Sequence, residues 1–100
     1  MNNPENETLF WDLVDSFIDH ANKLTDRADP SLVSAAMLQA LGRYSAFLVA
    51  SSSVDRKEYT EEMEAAGKYL TNQFRDVLSD NLEDYRENYK VYMKVEDDPE

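Results

Sequence analysis

Carboxylates are the commonest groups in this chain that could do chemistry. Asp12, Asp15, Asp19 and Asp26 recur at helical spacing, and further groups stand at Glu61, Glu62 and Glu64 and at Glu83, Asp84 and Glu87. Gathered carboxylates can hold a divalent cation or share a proton. Ferritin-like metal bundles, however, combine inward glutamates with Glu-x-x-His motifs, and calcium loops need a glycine between spaced carboxylates. Neither pattern occurs here. Charge runs on helices normally face water, so the four aspartates are read as an acidic face. His20 is the sole histidine and there is no cysteine. Lacking a partner nucleophile or a second ligand, His20 is read as an edge residue with a local hydrogen bond. Phosphate-binding glycine loops, nucleophile elbows and dinucleotide fingerprints are absent too. No catalytic, cofactor-binding or metal-ligating residue is assigned, and no enzyme is expected.

Two other features call for chemistry of a quieter kind. Arg43 is the only charge between Pro30 and Val54, although the chain carries 21 acidic residues and a formal net charge of −11. An unpaired buried charge is costly, so Arg43 is expected in a buried ion pair, with Asp15, Asp19 or Asp84 as its partner. Leu78, Leu82, Tyr85, Tyr89 and Tyr92 follow a four-three-four-three spacing. Tyrosine suits half-buried seams, where one end of the ring is apolar and the other wet. Leu82, Tyr85, Tyr89 and Tyr92, joined by Trp11 from the flank of another stripe, form a candidate interaction surface. The alternative is that the same residues pack inside the chain.

The elements that position these residues read as helices. Leu9, Phe10, Leu13, Val14, Phe17, Ile18, Ala21 and Leu24 keep the 3.6-residue period, which predicts a first helix from about Thr8 to Arg27. At 100° per residue its aspartates gather on the opposite side, with Lys23 placed to pair with Asp19. Asp29 as N-cap and Pro30 at the first helical position predict a second helix running to about Ala50. That helix has a bulky face of Val33, Met37, Ala40, Leu41, Tyr44, Phe47 and Leu48, and a small one of Ala35, Gly42, Ala46 and Ala50. With no carboxylate on either face, it is expected at the centre of the core. Asp55 to Glu58 reads as a capping box opening a third helix. A second box at Asp80 to Glu83 allows a break near Ser79; unbroken to Tyr89, the helix would be about 50 Å long at 1.5 Å per residue.

Composition narrows the function classes. One hundred residues make one domain, and 42% apolar content with only two glycines and three prolines favours helices over sheet. The charge of −11 opposes contact with nucleic acid or anionic lipid. The second helix is long enough to raise the question of a membrane span. Arg43, Gln39, Gly42 and six serines interrupt the carboxylate-free block from Pro30 to Val54, so no membrane contact is expected. No secretory leader is evident at Met1 to Glu5, and the cytoplasm is expected.

Three stretches taken together carry a family resemblance: Phe10 to Leu24 (FWDLVDSFIDHANKL), Val33 to Phe47 (VSAAMLQALGRYSAF) and Tyr69 to Tyr85 (YLTNQFRDVLSDNLEDY). They resemble a small bacterial family of helical proteins known only as a domain of unknown function. The resemblance implies a bacterial, cytoplasmic, all-helical protein and carries over no catalytic residues.

The expected fold is therefore all-α, a small bundle of three main helices with the third long or broken near Ser79. It would form a single domain over residues 1–100, with frayed tails at 1–7 and 94–100. The expected function is non-enzymatic protein–protein interaction or self-association as a homo-oligomer, with no cofactor. The rival expectation is an acidic helical ligand, or mimic, that binds a basic partner protein.

Overall fold

The computed structural model describes residues 4–94, so residues 1–3 and 95–100 of the expected tails lie outside it. Four helices follow one another: α1 (Pro4–Leu24), α2 (Pro30–Ser51), α3 (Arg56–Glu87) and α4 (Tyr89–Met93). No strand occurs among the described residues, and the all-α class with three main helices is observed. The chain forms two compact units, Met1–Leu48 and Val49–Glu100.

In the first unit, α1 begins four residues earlier than its apolar period indicates. Pro4 suits the first helical turn, where a missing N–H costs nothing, and Glu5 and Glu7 favour the positive end of the helix dipole. The helix closes at Leu24, three residues before the expected end. There the Thr25 N–H is shared between Ala21 O and Asn22 O (3.3 and 3.2 Å), and Asp26 and Arg27 donate to carbonyls three residues back. The Thr25 hydroxyl also donates to Asn22 O at 2.6 Å, tightening the turn. Asp29 then caps α2 as its sequence indicates: its carboxylate accepts from the Ser31 N–H (3.0 Å) and hydroxyl (3.1 Å). Within this unit α1 and α2 do not pack along one another. Val33 alone is buried among the described residues, at 7% exposure. The expectation that α2 lies buried in a core is thus corrected. Its lack of charge reports an apolar surface, which α1, the other helix of its unit, does not cover.

In the second unit, Asp55 sits in an extended conformation and accepts from the Glu58 N–H at 2.9 Å, starting α3. Glu58 reaches back to the Val54 N–H, one residue earlier than a standard capping box. Replacing Asp55 by alanine is expected to cost about 1 kcal/mol of stability, the usual effect of losing an N-cap. Urea denaturation followed by circular dichroism checks this, and an unchanged midpoint would show that the cap is idle.

The third helix is long. It runs unbroken through Ser79 for 32 residues. The second capping box is not used as one: Asn81 donates to Val77 O within the helix (2.8 Å), and Glu83 pairs with Arg86. The interruption comes at Asn88, whose φ of −114° and ψ of 28° leave the helical region before α4 starts. Lys94 ends α4 in the left-handed region at φ 56°.

Candidate functional site

Helical periodicity places the apolar side chains of α1 in one stripe, and that stripe is open. Leu9, Phe10, Leu13, Phe17 and Ile18 are each half or more exposed, with Phe17 the most open at 70%. The Trp11 ring meets Phe10 edge-on, with ring centroids 4.9 Å apart. Trp11 is itself 57% exposed, so it extends the apolar surface of α1. Asp12, Asp15 and Asp19 lie on the opposite side, within about 60° of one another at 100° per residue, and all three are exposed. Asp26 falls in the turn beyond Leu24 and leaves the helical face that its spacing indicated. His20 is exposed as well.

The bulky face of α2 is similarly bare. Met37, Leu41, Tyr44, Phe47 and Leu48 are all exposed, and Tyr44 stands near Phe47 with centroids 6.2 Å apart. On the small face, a methyl group added at Gly42 would meet nothing within 4 Å, so α2 is open at that position. Arg43 is exposed, and ion pairing between described residues joins Arg86 and Glu83 instead. Arg43 is thus exposed where a buried ion pair was expected. Among the described residues Asp15 and Asp19, two of its candidate partners, make no ion pair, and the third, Asp84, accepts from Asn88 and Tyr92. By length and composition α2 is apolar enough to cross a membrane.

Of the tyrosine seam, the structure brings two members together. Tyr85 and Tyr92 stack obliquely, with centroids 4.6 Å apart and an interplanar angle of 49°. Sequence reasoning missed the residues that hold them, Asp84 and Asn88. The Tyr92 hydroxyl donates to Asp84 Oδ2 at 2.9 Å, and the Asn88 side chain donates to Asp84 Oδ1 at 2.8 Å. The signal was present in the spacing, since Asp84, Asn88 and Tyr92 recur every four residues and so share one helix face. This local cluster seats α4 against the end of α3. Leu82 (63% exposed), Tyr85, Tyr89 and Tyr92 nevertheless remain open to solvent.

The hydrogen bond to Asp84, aided by the charge of that carboxylate, raises the Tyr92 pKa above the ordinary tyrosine value. A raised folded-state pKa means that the seated form holds the phenol proton more tightly. Its stabilisation is complete below the ordinary tyrosine pKa and is lost as pH rises through the raised value. Asp84→Asn is expected to return Tyr92 to ordinary titration, read as phenolate absorbance against a Tyr92→Phe control. An unchanged curve would mean that the bond is absent in solution.

Among the described residues, no three His, Cys, Asp or Glu side chains gather to hold a metal ion. What these helices offer chemically is apolar area, hydroxyl-bearing rings and separated negative charge. No curated protein and no solved structure matches the chain. A family model does match, over residues 10–86, a span that includes all three of the stretches carrying the resemblance. The chain belongs to the family described as protein of unknown function (DUF3144).

Proposed function

We propose that this chain is a non-enzymatic protein–protein interaction module of the bacterial cytoplasm, acting by self-association or by docking a partner protein. The observation that carries the reading is the open apolar stripe of α1, where five bulky residues at helical period are each at least 50% exposed. Soluble monomers rarely leave more than a few hundred Å² of contiguous apolar surface uncovered, and larger patches mark contact sites. Covering such a stripe with another polypeptide removes it from water, at roughly 25 cal/mol per Å². The bacterial and cytoplasmic parts rest on the family resemblance.

Association that favours the folded chain raises its melting temperature with concentration. Thermal unfolding is therefore expected to shift upward from low to high micromolar chain. A cooperative melt at one fixed temperature, independent of concentration, would count against self-association, and failure to retain any partner would then remove docking as well.

The second reading, an acidic ligand of a basic protein, is favoured by the net charge of −11 and by the exposed row Asp12, Asp15 and Asp19. The two readings differ in the sign of their response to salt.

A further inference from the structure

We infer that the joint at Asn88 is a two-state latch governed by Asp84. With the Asp84 carboxylate engaged, α4 is bent onto the end of α3; with it released, residues 89–93 continue α3 as one helix. The inference goes beyond the interaction-module reading and does not depend on what docks on the chain.

The break has no backbone cause. Sharp interruptions of a helix usually sit at proline, at glycine, or where a side chain intrudes on the hydrogen-bond ladder. Residues 80–94 contain neither glycine nor proline. Side chains supply the cause, and their bonds converge on Asp84. Its carbonyl accepts from the Asn88 N–H at 2.9 Å and from the Asn88 side chain at 3.2 Å, so two donors share one acceptor. Side-chain bonds of this kind compete with the helical ladder. Its carboxylate accepts from the same Asn88 side chain (2.8 Å) and from the Tyr92 hydroxyl (2.9 Å).

The Tyr92 bond requires the bend. On an unbroken helix Asp84 and Tyr92 would lie about 12 Å apart along the axis and about 80° apart around it. The Cα–Cβ bond of Asp84 would tilt toward the N-terminus, away from Tyr92. Side chains so placed do not meet at 2.9 Å. Tyr85 and Tyr92 would likewise stand about 10.5 Å apart along the axis, whereas their ring centroids lie 4.6 Å apart.

The remaining features of the segment suit a continuous helix. Asn88 alone separates α3 from α4. Its φ of −114° and ψ of 28° lie roughly 50° and 70° from helical values, so one residue's rotation joins the two. The stripe Leu78, Leu82, Tyr85, Tyr89 and Tyr92 keeps its four-three register straight through the break. That register lines up side chains on one face where the helix is unbroken. An α4 of five residues is too short to stand as an isolated helix and must lean on α3 in either state. Straightening returns to its first N–H groups the carbonyl partners that a helix end takes away. The bent state is thus held by Asp84, and the straight one by the ladder and the register.

The chain contains no cysteine, so two introduced ones can carry spin labels without interference. Gln73→Cys with Val91→Cys labels two exposed positions. On an unbroken helix they share one face with backbones about 27 Å apart. In the otherwise native chain, dipolar electron spin resonance should give a distance distribution distinct from the straight-helix value. Adding Asp84→Ala should gather it into one narrow peak at that value, raising the ratio of straight to bent forms on the order of tenfold. Helical circular dichroism should hold or rise. Tyr92→Phe, which removes the hydroxyl and keeps the ring, should move the distribution the same way by a smaller step. A native chain already at the straight-helix distance, or a distribution that Asp84→Ala leaves unchanged, would overturn the latch. A broad distribution with loss of helical signal would mean that α4 frays when released, and would overturn the straight state. Tyr92→Phe identical to the native chain would overturn the part of the phenol.

Discussion

Phe17→Asp is expected to weaken association by roughly 2–4 kcal/mol, about 30- to 1,000-fold in dissociation constant. Phe17 lies at the centre of the α1 stripe and is the most exposed of its bulky residues. A large aromatic ring in the middle of an apolar contact has the character of a hot spot. Aspartate removes its area and places a charge where covering it carries a desolvation cost. Because Phe17 contributes little burial within the chain, the loss should appear in association and leave helix content nearly unchanged. Phe17→Ala should move in the same direction by a smaller step, and Asp12→Ala, on the far side of α1, should not weaken association. Sedimentation velocity on the three variants reads this directly. Equal behaviour of Phe17→Asp and the native chain would mean that the α1 stripe touches no partner.

The second large effect is a response to salt whose sign separates the two functional readings. Copies carrying −11 each repel over distances set by the Debye length, about 10 Å at 0.1 M salt and 3 Å at 1 M. Raising the salt screens that repulsion and leaves apolar contact intact, so self-association should tighten by on the order of tenfold, ~1.4 kcal/mol. Replacing Asp12, Asp15 and Asp19 by asparagine should tighten it for the same reason, since all three carboxylates are exposed. A complex with a basic protein responds in the opposite way, weakening in high salt and weakening again when those aspartates are removed. Association titrated at two salt concentrations decides between them.

Local signals in the sequence were sufficient to place the starts of α2 and α3. Asp29 with Pro30, and Asp55 with Glu58, mark the starts of α2 and α3 because capping is decided by side chains within three residues of the end. The start of α1 was missed by reliance on apolar period, although Pro4, Glu5 and Glu7 already had the composition of a first turn. The break allowed near Ser79 moved to Asn88 because Asn81 and Glu83 found partners inside the helix, and Asp84 gathered Asn88 and Tyr92 beyond it.

Burial was not legible, for a different reason. Periodicity says which face of a helix is apolar and is silent on what covers it. The charge-free α2 therefore reads equally as the centre of one chain's core and as a surface shared between chains. Arg43 shows the consequence. Its buried ion pair was inferred from an expected burial, whereas Arg43 is exposed. The tyrosine surface was partly legible: spacing aligned Tyr85 with Tyr92, while the carboxylate that seats the pair became visible only in the structure.

The central claim is that the open apolar stripe of α1 is covered by another polypeptide, in the first instance a second copy of the chain. Sedimentation equilibrium of the native chain tests it most directly. The expected result is a species of twice the 11.6 kDa chain mass at micromolar concentration, reverting to the monomer when Phe17 is replaced by aspartate. A native chain sedimenting at 11.6 kDa up to high micromolar concentration, stably folded and unchanged by that replacement, would contradict it.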